Sequence, residues 1–199
     1  ADLAETAAWL RLGDRPPVAL TFADAPRAEA AETIARLKAR GLPVTLLSGD
    51  AAGPVADLAR RLGIEDWTAR ATPQEKVARL EAMRAEGRRV LMVGDGLNDA
   101  AALAAAHVSI SPASAVDASR AAADMIVLGD GLDRVADALD LARVARRRIF
   151  ENFAMAFGYN VITVPIAYAG YVTPLIAAIA MSASSVVVAA NAMRLGRDR

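Results

Sequence analysis

Three short segments hold residue types that together could handle a phosphoryl group. Gly94-Asp95-Gly96-Leu97-Asn98-Asp99 follows the apolar run Val90–Val93. Its two glycines let the backbone turn tightly and approach a ligand closely. Asp95 and Asp99 bring two carboxylates to one strand end, and Mg²⁺ binds through one or two carboxylates plus substrate phosphate. Asn98 opens a helix whose first N–H groups would face an anion. Ser48-Gly49-Asp50 follows a second apolar run, Val44–Leu47, and offers a hydroxyl and a backbone N–H to phosphate oxygens. Lys76, one of only two lysines in an arginine-rich chain, closes the segment Ala71-Thr72-Pro73-Gln74-Glu75-Lys76. Each segment alone also has a plain structural reading. Gly94–Asp99 could be a capped strand-to-helix turn, Ser48 an ST-turn that caps the next helix, and Lys76 a surface lysine. Taken together, on three strand ends, the hydroxyl, the lysine and the Asp-bearing glycine loop form a phosphoryl-transfer constellation.

The elements that must position these residues alternate in period. Strand-like runs fall at Val18–Phe22, Val44–Leu47, Val90–Val93, Val108–Ile110 and Met125–Leu128, with a shorter candidate at Trp67–Ala71. Helical spacing marks Pro26–Arg40, Pro54–Leu62, Pro73–Glu86 and Asn98–Ala106. Gly41, Gly63 and Gly87 stand where the first three of these should close. Thr72, Pro73 and Glu75 read as N-cap, first turn and capping-box partner. Strands separated by helices imply βαβ units: an α/β fold with a parallel sheet and helices on both faces. In such sheets ligands bind at the carboxyl ends of the strands, where all three segments lie. An amphipathic helix over Leu132–Phe150 should follow. The first 15 residues, with a strand-like Ala8–Leu12 and a Gly13-Asp14 turn, read as the end of another domain.

Composition separates a second region. The chain is 199 residues long and 55% hydrophobic, with mean hydropathy +0.28, above the usual apolar share of soluble domains. Equal numbers of basic and acidic residues, 23 each, argue against a nucleic-acid surface. The absence of Cys removes disulfides and thiolate chemistry, and a single His makes a His-built metal site or a Ser-His relay a poor fit. From Asn152 to Met193 there is no charged side chain, a length sufficient for two spanning helices of about 20 residues each. The sequence predicts a helical hairpin, Phe153–Tyr171 and Pro174–Met193, broken at Gly170-Tyr171-Val172-Thr173-Pro174. Arg143, Arg146, Arg147 and Arg148 precede it, and Arg194, Arg197 and Arg199 follow, so both ends should be cytoplasmic. A buried helical pair in a large soluble core is the alternative. Asp2, Glu5 and Arg11 interrupt any N-terminal signal-peptide pattern.

Ser48-Gly49-Asp50, Pro73-x-x-Lys76 and Gly94-Asp95-Gly96-x-Asn98-Asp99 together resemble the phosphorylation domain of P-type ATPases, which has the haloacid-dehalogenase fold. Asp24-x-x-Arg27 matches the segment that re-enters that domain. Tyr159-Asn160 and Met181-x-x-Ser184-Ser185 resemble the copper-site motifs in the last two helices of heavy-metal ATPases. The stretches His107–Asp117 and Thr173–Ser182 resemble the bacterial copper-transporting branch associated with cytochrome oxidase assembly.

The resemblance implies a haloacid-dehalogenase-like domain lacking its first strand, followed by a two-helix transmembrane hairpin. Residues 1–15 would be the tail of a nucleotide-binding domain, 16–150 a partial phosphorylation domain and 151–199 the hairpin. It implies an ATP-driven Cu(I) export pump of the bacterial inner membrane, multi-pass, with the soluble part cytoplasmic. Asp95 would bind Mg²⁺, with Asp99 a weaker ligand. Asn98, Asp99, Gly94 and Gly96 would support the loop and the phosphate. Ser48, with Gly49 and Asp50, and Lys76 would orient phosphoryl oxygens. Tyr159, Asn160, Met181 and Ser185 would line the metal path. The uncharged span and the soft thioether of Met181 agree with Cu(I), while plain packing of Met181 and small interhelical serines is the alternative. Implied partners are the lipid bilayer, the N-terminal part of the same ATPase, and a copper chaperone or cytochrome oxidase assembly factors, with no nucleic acid. The family's Asp-Lys-Thr-Gly-Thr motif, whose aspartate accepts the phosphate, is absent here, so this chain alone is expected not to hydrolyse ATP. Ala51, Ala101 and His107 depart from the family's usual Asn, Pro and Asp. An ATPase for another heavy metal and a membrane-anchored phosphatase of the same fold are the alternatives.

Overall fold

The structure, a computed structural model, describes residues 6–22, 26–129 and 131–196. Asp2, Asp24, Arg197 and Arg199 lie outside the described residues. The chain divides into two compact units, Ala1–Ala136 and Asp137–Arg199.

In the first unit, β1 (Thr6–Leu10) and β2 (Val18–Phe22) form an antiparallel ribbon, Leu10 opposite Val18 and Ala8 opposite Leu20. Helix α1 (Ala30–Ala39) starts four residues later than its spacing predicts, because a turn joining Ala30 N–H to the Arg27 carbonyl occupies the expected first turn. Strand β3 (Thr45–Leu47) pairs in parallel with β4 (Asp66–Thr68) across α2 (Ala52–Leu62). Helix α3 (Pro73–Ala85) leads to β5 (Leu91–Val93), which pairs in parallel with β6 (Val108–Pro112), and β6 with β7 (Met125–Val127). Helices α4 (Ala100–Ala105) and α5 (Asp117–Ala122) fill the crossovers. The spacing of apolar residues predicts no helix at α5, whose six residues are too few to display an amphipathic period.

The parallel strands form two sheets, β3-β4 and β5-β6-β7. Among the described residues β3 and β5 each keep one edge without a neighbouring strand. Two apolar clusters anchor the helices: Leu80, Met92, Ala102 and Leu103 join α3, β5 and α4, and Ile34, Ala59 and Ile64 join α1 to α2.

The helix ends follow the local signals. At Gly63 the left-handed φ of +66° lets its N–H reach the Arg60 carbonyl and the Ile64 N–H reach the Ala59 carbonyl, the double closure that satisfies the last free carbonyls of a helix. The same pair of bonds closes α1 at Gly41 and α3 at Gly87. At the start of α3, Thr72 Oγ1 accepts from Glu75 N–H at 3.2 Å while the Glu75 carboxylate accepts from Thr72 N–H at 2.8 Å. The Thr72 N–H first, and second the Thr72 hydroxyl, which donates to Glu75 Oε2 at 2.9 Å, hold the Glu75 carboxyl below its ordinary value. A depressed folded-state pKa stabilises the fold above the ordinary carboxylate range, and that contribution is lost as pH falls through the depressed value. Loss of the N-cap bond in Thr72→Ala should cost about 1 kcal/mol at neutral pH, and loss of the hydroxyl should weaken the acid-side loss, as urea unfolding of both proteins at neutral and acid pH would show.

In the second unit the amphipathic helix expected over Leu132–Phe150 runs directly into the first hairpin helix. Helix α6 runs without interruption over Asp133–Tyr168. No Gly or Pro lies between Phe150 and Phe153, so the change from charged to apolar composition does not interrupt the backbone hydrogen bonds. Gly170, with φ +81°, ends the helix two residues beyond Tyr168 through the closure already seen at Gly63. Helix α7 (Pro174–Met193) begins with Thr173 as N-cap. Asn191 Nδ2 donates to Asn152 Oδ1 at 2.9 Å and to Glu151 Oε2 at 3.4 Å, which brings α7 back beside α6 as a hairpin. Among the described helices α7 by itself is long and apolar enough to cross a membrane. Asn152, Tyr159, Asn160 and Pro165 dilute the apolar half of α6.

Candidate functional site

The glycine loop after β5 is held from several sides. Gly94 N–H donates to the Ile110 carbonyl at 3.2 Å, Val116 N–H to the Asp95 carbonyl at 3.3 Å, and Ser119 Oγ to the Gly96 carbonyl at 2.6 Å. The short helix α5 thus contributes to fixing the loop. Gly94 must lack a side chain, since a Cβ there would lie 2.8 Å from the Asp99 Cβ. This close approach turns the Asp99 carboxylate back into its own loop, where Oδ2 accepts from Gly96 N–H at 3.3 Å.

Lys76 is buried, not exposed as an isolated lysine at the start of a helix would be. Its side chain is 7% accessible, and Nζ donates to Asp99 Oδ1 at 2.7 Å. Both Asp99 oxygens are thereby engaged. Asp95 is different: its side chain is 63% accessible, and the Arg27 guanidinium stands 4.0 Å away. Asn98 is exposed on the single 3₁₀ turn that precedes α4.

Ser48 and Lys76 belong to segments zipped together by the backbone. Ser48 N–H donates to the Thr68 carbonyl, Ala71 N–H to the Ser48 carbonyl and Arg70 N–H to the Asp50 carbonyl, at 2.8–2.9 Å. Arg70 takes a left-handed φ of +54° at this turn. The Ser48 hydroxyl donates to Asp50 Oδ2 at 2.8 Å and accepts from Asp50 N–H at 3.2 Å, the ST-turn geometry. Gly49 and Asp50 are exposed. A cleft of about 310 Å³ opens here, lined by Leu47, Thr68, Ala71, Glu75, Lys76 and Arg79 among others.

Lys76 and Asp99 are thus in direct contact, Asp95 stands in the same loop as Asp99, and Ser48 lies on the segment bonded to Ala71. Sequence places Arg27 only within the Asp24-x-x-Arg27 motif; its nearness to Asp95 depends on the tertiary structure. Among the described residues no group of three or more His, Asp or Glu could hold a metal ion. Mg²⁺ fits this donor set in one way, with the open Asp95 carboxylate as its protein ligand and phosphate oxygens and water as the rest.

Two of the four residues of the expected metal path bond within their own helices. Asn160 Nδ2 donates to the Ala156 carbonyl and Ser185 Oγ to the Met181 carbonyl, at 2.9 and 3.1 Å. Both are bonds to the preceding turn of the same helix. Tyr159 is half-buried and Met181 is 69% accessible. At the other end of the hairpin, Glu151 accepts from Arg148 Nη1 at 2.7 Å and Arg147 Nε at 3.0 Å. The Arg148 bond is the main reason that the Glu151 carboxyl lies below its ordinary value.

The family model for haloacid dehalogenase-like hydrolases matches residues 2–107. The chain is 52% identical over 174 residues to "Nitrogen fixation protein FixI" of Rhizobium leguminosarum, covering 87% of this chain and 23% of that protein. It is 41% identical over 182 residues to "Probable copper-exporting P-type ATPase V" of Mycobacterium tuberculosis, covering 90% of this chain and 24% of the other. A crystal structure of a zinc-transporting PIB-type ATPase in its E2.Pi state superposes with a TM-score of 0.79 at 31% identity, over 90% of this chain and 29% of that one. The chain spans about a quarter of the length of the curated relatives it matches. With the family model covering more than half of its residues, the chain belongs to the haloacid dehalogenase-like hydrolase family, and its homologues there are P-type ATPases.

Proposed function

We propose that this chain is the phosphorylation domain and last membrane hairpin of a pump that couples ATP hydrolysis, through an aspartyl-phosphate, to Cu(I) export from the bacterial cytoplasm. Residues 1–15 would end a nucleotide-binding domain, 16–150 form the phosphorylation domain, and 151–199 the hairpin, in the inner membrane with both ends cytoplasmic. The observation that carries this reading is the pairing of buried Lys76 with Asp99 at 2.7 Å beside the open carboxylate of Asp95. One fixed ammonium and one free carboxylate at a strand end suit a phosphoryl group that arrives with Mg²⁺.

Mg²⁺ bound there would neutralise charge on the transferring phosphoryl group. Asp95 would hold that ion, and Asp99, with both oxygens engaged, would fix Lys76 against the site. Gly94 and Gly96 would admit the backbone close to the ligand, and Asn98 would face the phosphate. Ser48 would release its bond to Asp50 to donate to a phosphoryl oxygen, with Gly49 keeping the approach open. A strand bearing the phosphate-accepting aspartate would pair with the open edges of β3 and β5.

On the membrane side, Tyr159, Asn160, Met181 and Ser185 would line a Cu(I) path. The absence of charge from Asn152 to Met193 supports a soft monovalent cargo over a divalent one. A zinc cargo is the second reading, favoured by the superposition on a zinc-transporting ATPase. A copper chaperone and oxidase-assembly factors would be partners of such a pump.

Two measurements test the reading. The 199-residue chain should show no steady ATP hydrolysis, because it contains no Asp-Lys-Thr-Gly-Thr nucleophile; sustained turnover would refute this. The longer gene product should be stimulated by Cu(I) and not by Zn²⁺, and a response to Zn²⁺ alone would replace the copper assignment with the zinc one.

A further inference from the structure

Helix α6 carries Arg143, Arg146, Phe150, Phe153 and Phe157 at alternating spacings of three and four, which places them on one face. All five are exposed. The aromatic rings are 60%, 68% and 72% accessible in chain order, and the Arg146 guanidinium lies 5.5 Å from the Phe150 ring centroid. The neighbouring face is committed elsewhere: Arg148, Glu151 and Asn152 face the α7 contact at Asn191. Arg194, at the far end of α7, adds a third exposed cation near that contact.

We infer that the Arg143–Phe157 stripe of α6 is a binding surface for an anionic phospholipid, with its headgroup on Arg143 and Arg146 and its acyl chains along the three phenylalanines. The proposal rests on the membrane-hairpin reading above. A guanidinium forks onto phosphate oxygens, and clustered basic residues just outside a span attract anionic headgroups. A neutral lipid has no net charge to answer the two arginines. A free phosphate would leave the rings bare, and an apolar partner helix would have to bury both guanidinium groups without a counter-charge. Only an anionic amphiphile matches both ends of the stripe.

The test reconstitutes the full chain into lipid discs of phosphatidylcholine alone and of phosphatidylcholine with a minority of phosphatidylglycerol. Protection of the hairpin from protease in phosphatidylcholine discs reads insertion, and mass spectrometry of lipid retained after detergent extraction reads enrichment. Wild type should insert in both and retain phosphatidylglycerol above its input share. Arg143→Gln with Arg146→Gln should still insert but lose enrichment by about fivefold for each arginine removed. Arg84→Gln with Arg88→Gln, on the soluble unit, should leave retention unchanged. Equal retention by wild type and the Arg143/Arg146 variant overturns the surface, as does an equal loss in the Arg84/Arg88 variant. Insertion without enrichment refutes the lipid surface alone, whereas failure to insert refutes the hairpin reading and the surface with it.

Discussion

Lys76→Met is expected to lower the unfolding free energy of the soluble unit by about 3–5 kcal/mol, the usual cost of removing one partner from a buried ion pair. Methionine keeps the length of the stem and has nearly the helix propensity of lysine, so α3 should survive and the loss should come from the charge. The Lys76 and Asp99 side chains are 7% and 15% accessible, so water can do little to screen the carboxylate left behind. Asp99 also sits against Gly94 and accepts from Gly96 N–H, which ties the damage to the loop that bears Asp95. The double variant with Asp99→Asn should lose less than the two single variants added together, because each then lacks the charge that the other would strand. Urea unfolding in detergent, followed by the fluorescence of Trp9 and Trp67, gives all four values. A cost below about 1 kcal/mol for Lys76→Met would place this pair among exposed ones.

Asp95→Asn should have the reverse profile. Its side chain is 63% accessible and its ion-pair partner, Arg27, is 4.0 Å away. An exposed pair of this kind contributes little, so stability should stay within about 0.5 kcal/mol. In the longer pump proposed for this chain, the same change should cut Mg²⁺-dependent turnover by at least about 10²-fold. Asparagine keeps the shape but loses the charge, and removing one electrostatic stabiliser of a transition state has an effect of this size. Turnover within tenfold of wild type at saturating Mg²⁺ would remove Asp95 from the proposed role. Together the two variants separate a residue that holds the site from one that meets the ligand. Lys76→Met should lose both stability and activity, Asp95→Asn activity alone.

Much of this organisation was legible in the residues. The order of strand and helix in the first unit followed from period changes, and α2 and α3 ended where Gly63 and Gly87 stand. The capping box at Thr72 formed as its residues indicate, and α7 took the span expected from Pro174 to Met193. These features depend on hydrogen bonds and side-chain spacings within a few residues, which a sequence displays directly. Where the local signal was weak, the outcome differed. Helix α5 was too short to show a period, and α1 began only after the turn at Arg27.

The sequence by itself determined which chemistry is available: one hydroxyl and two carboxylates on loops after strands, one lysine in the first turns of a helix, and a charge-free stretch flanked by arginine. Only the tertiary structure decided how those groups divide their work. Lys76 and Asp99 are 23 positions apart, and no rule of spacing says that the lysine turns inward to that carboxylate while Asp95, four residues before Asp99, stays open. Packing decides it. Burial of α3 and α4 on β5 through Leu80, Met92 and Leu103 carries Lys76 out of water, where an ammonium must find a counter-charge. The close contact of Gly94 with Asp99 then presents the carboxylate it pairs with.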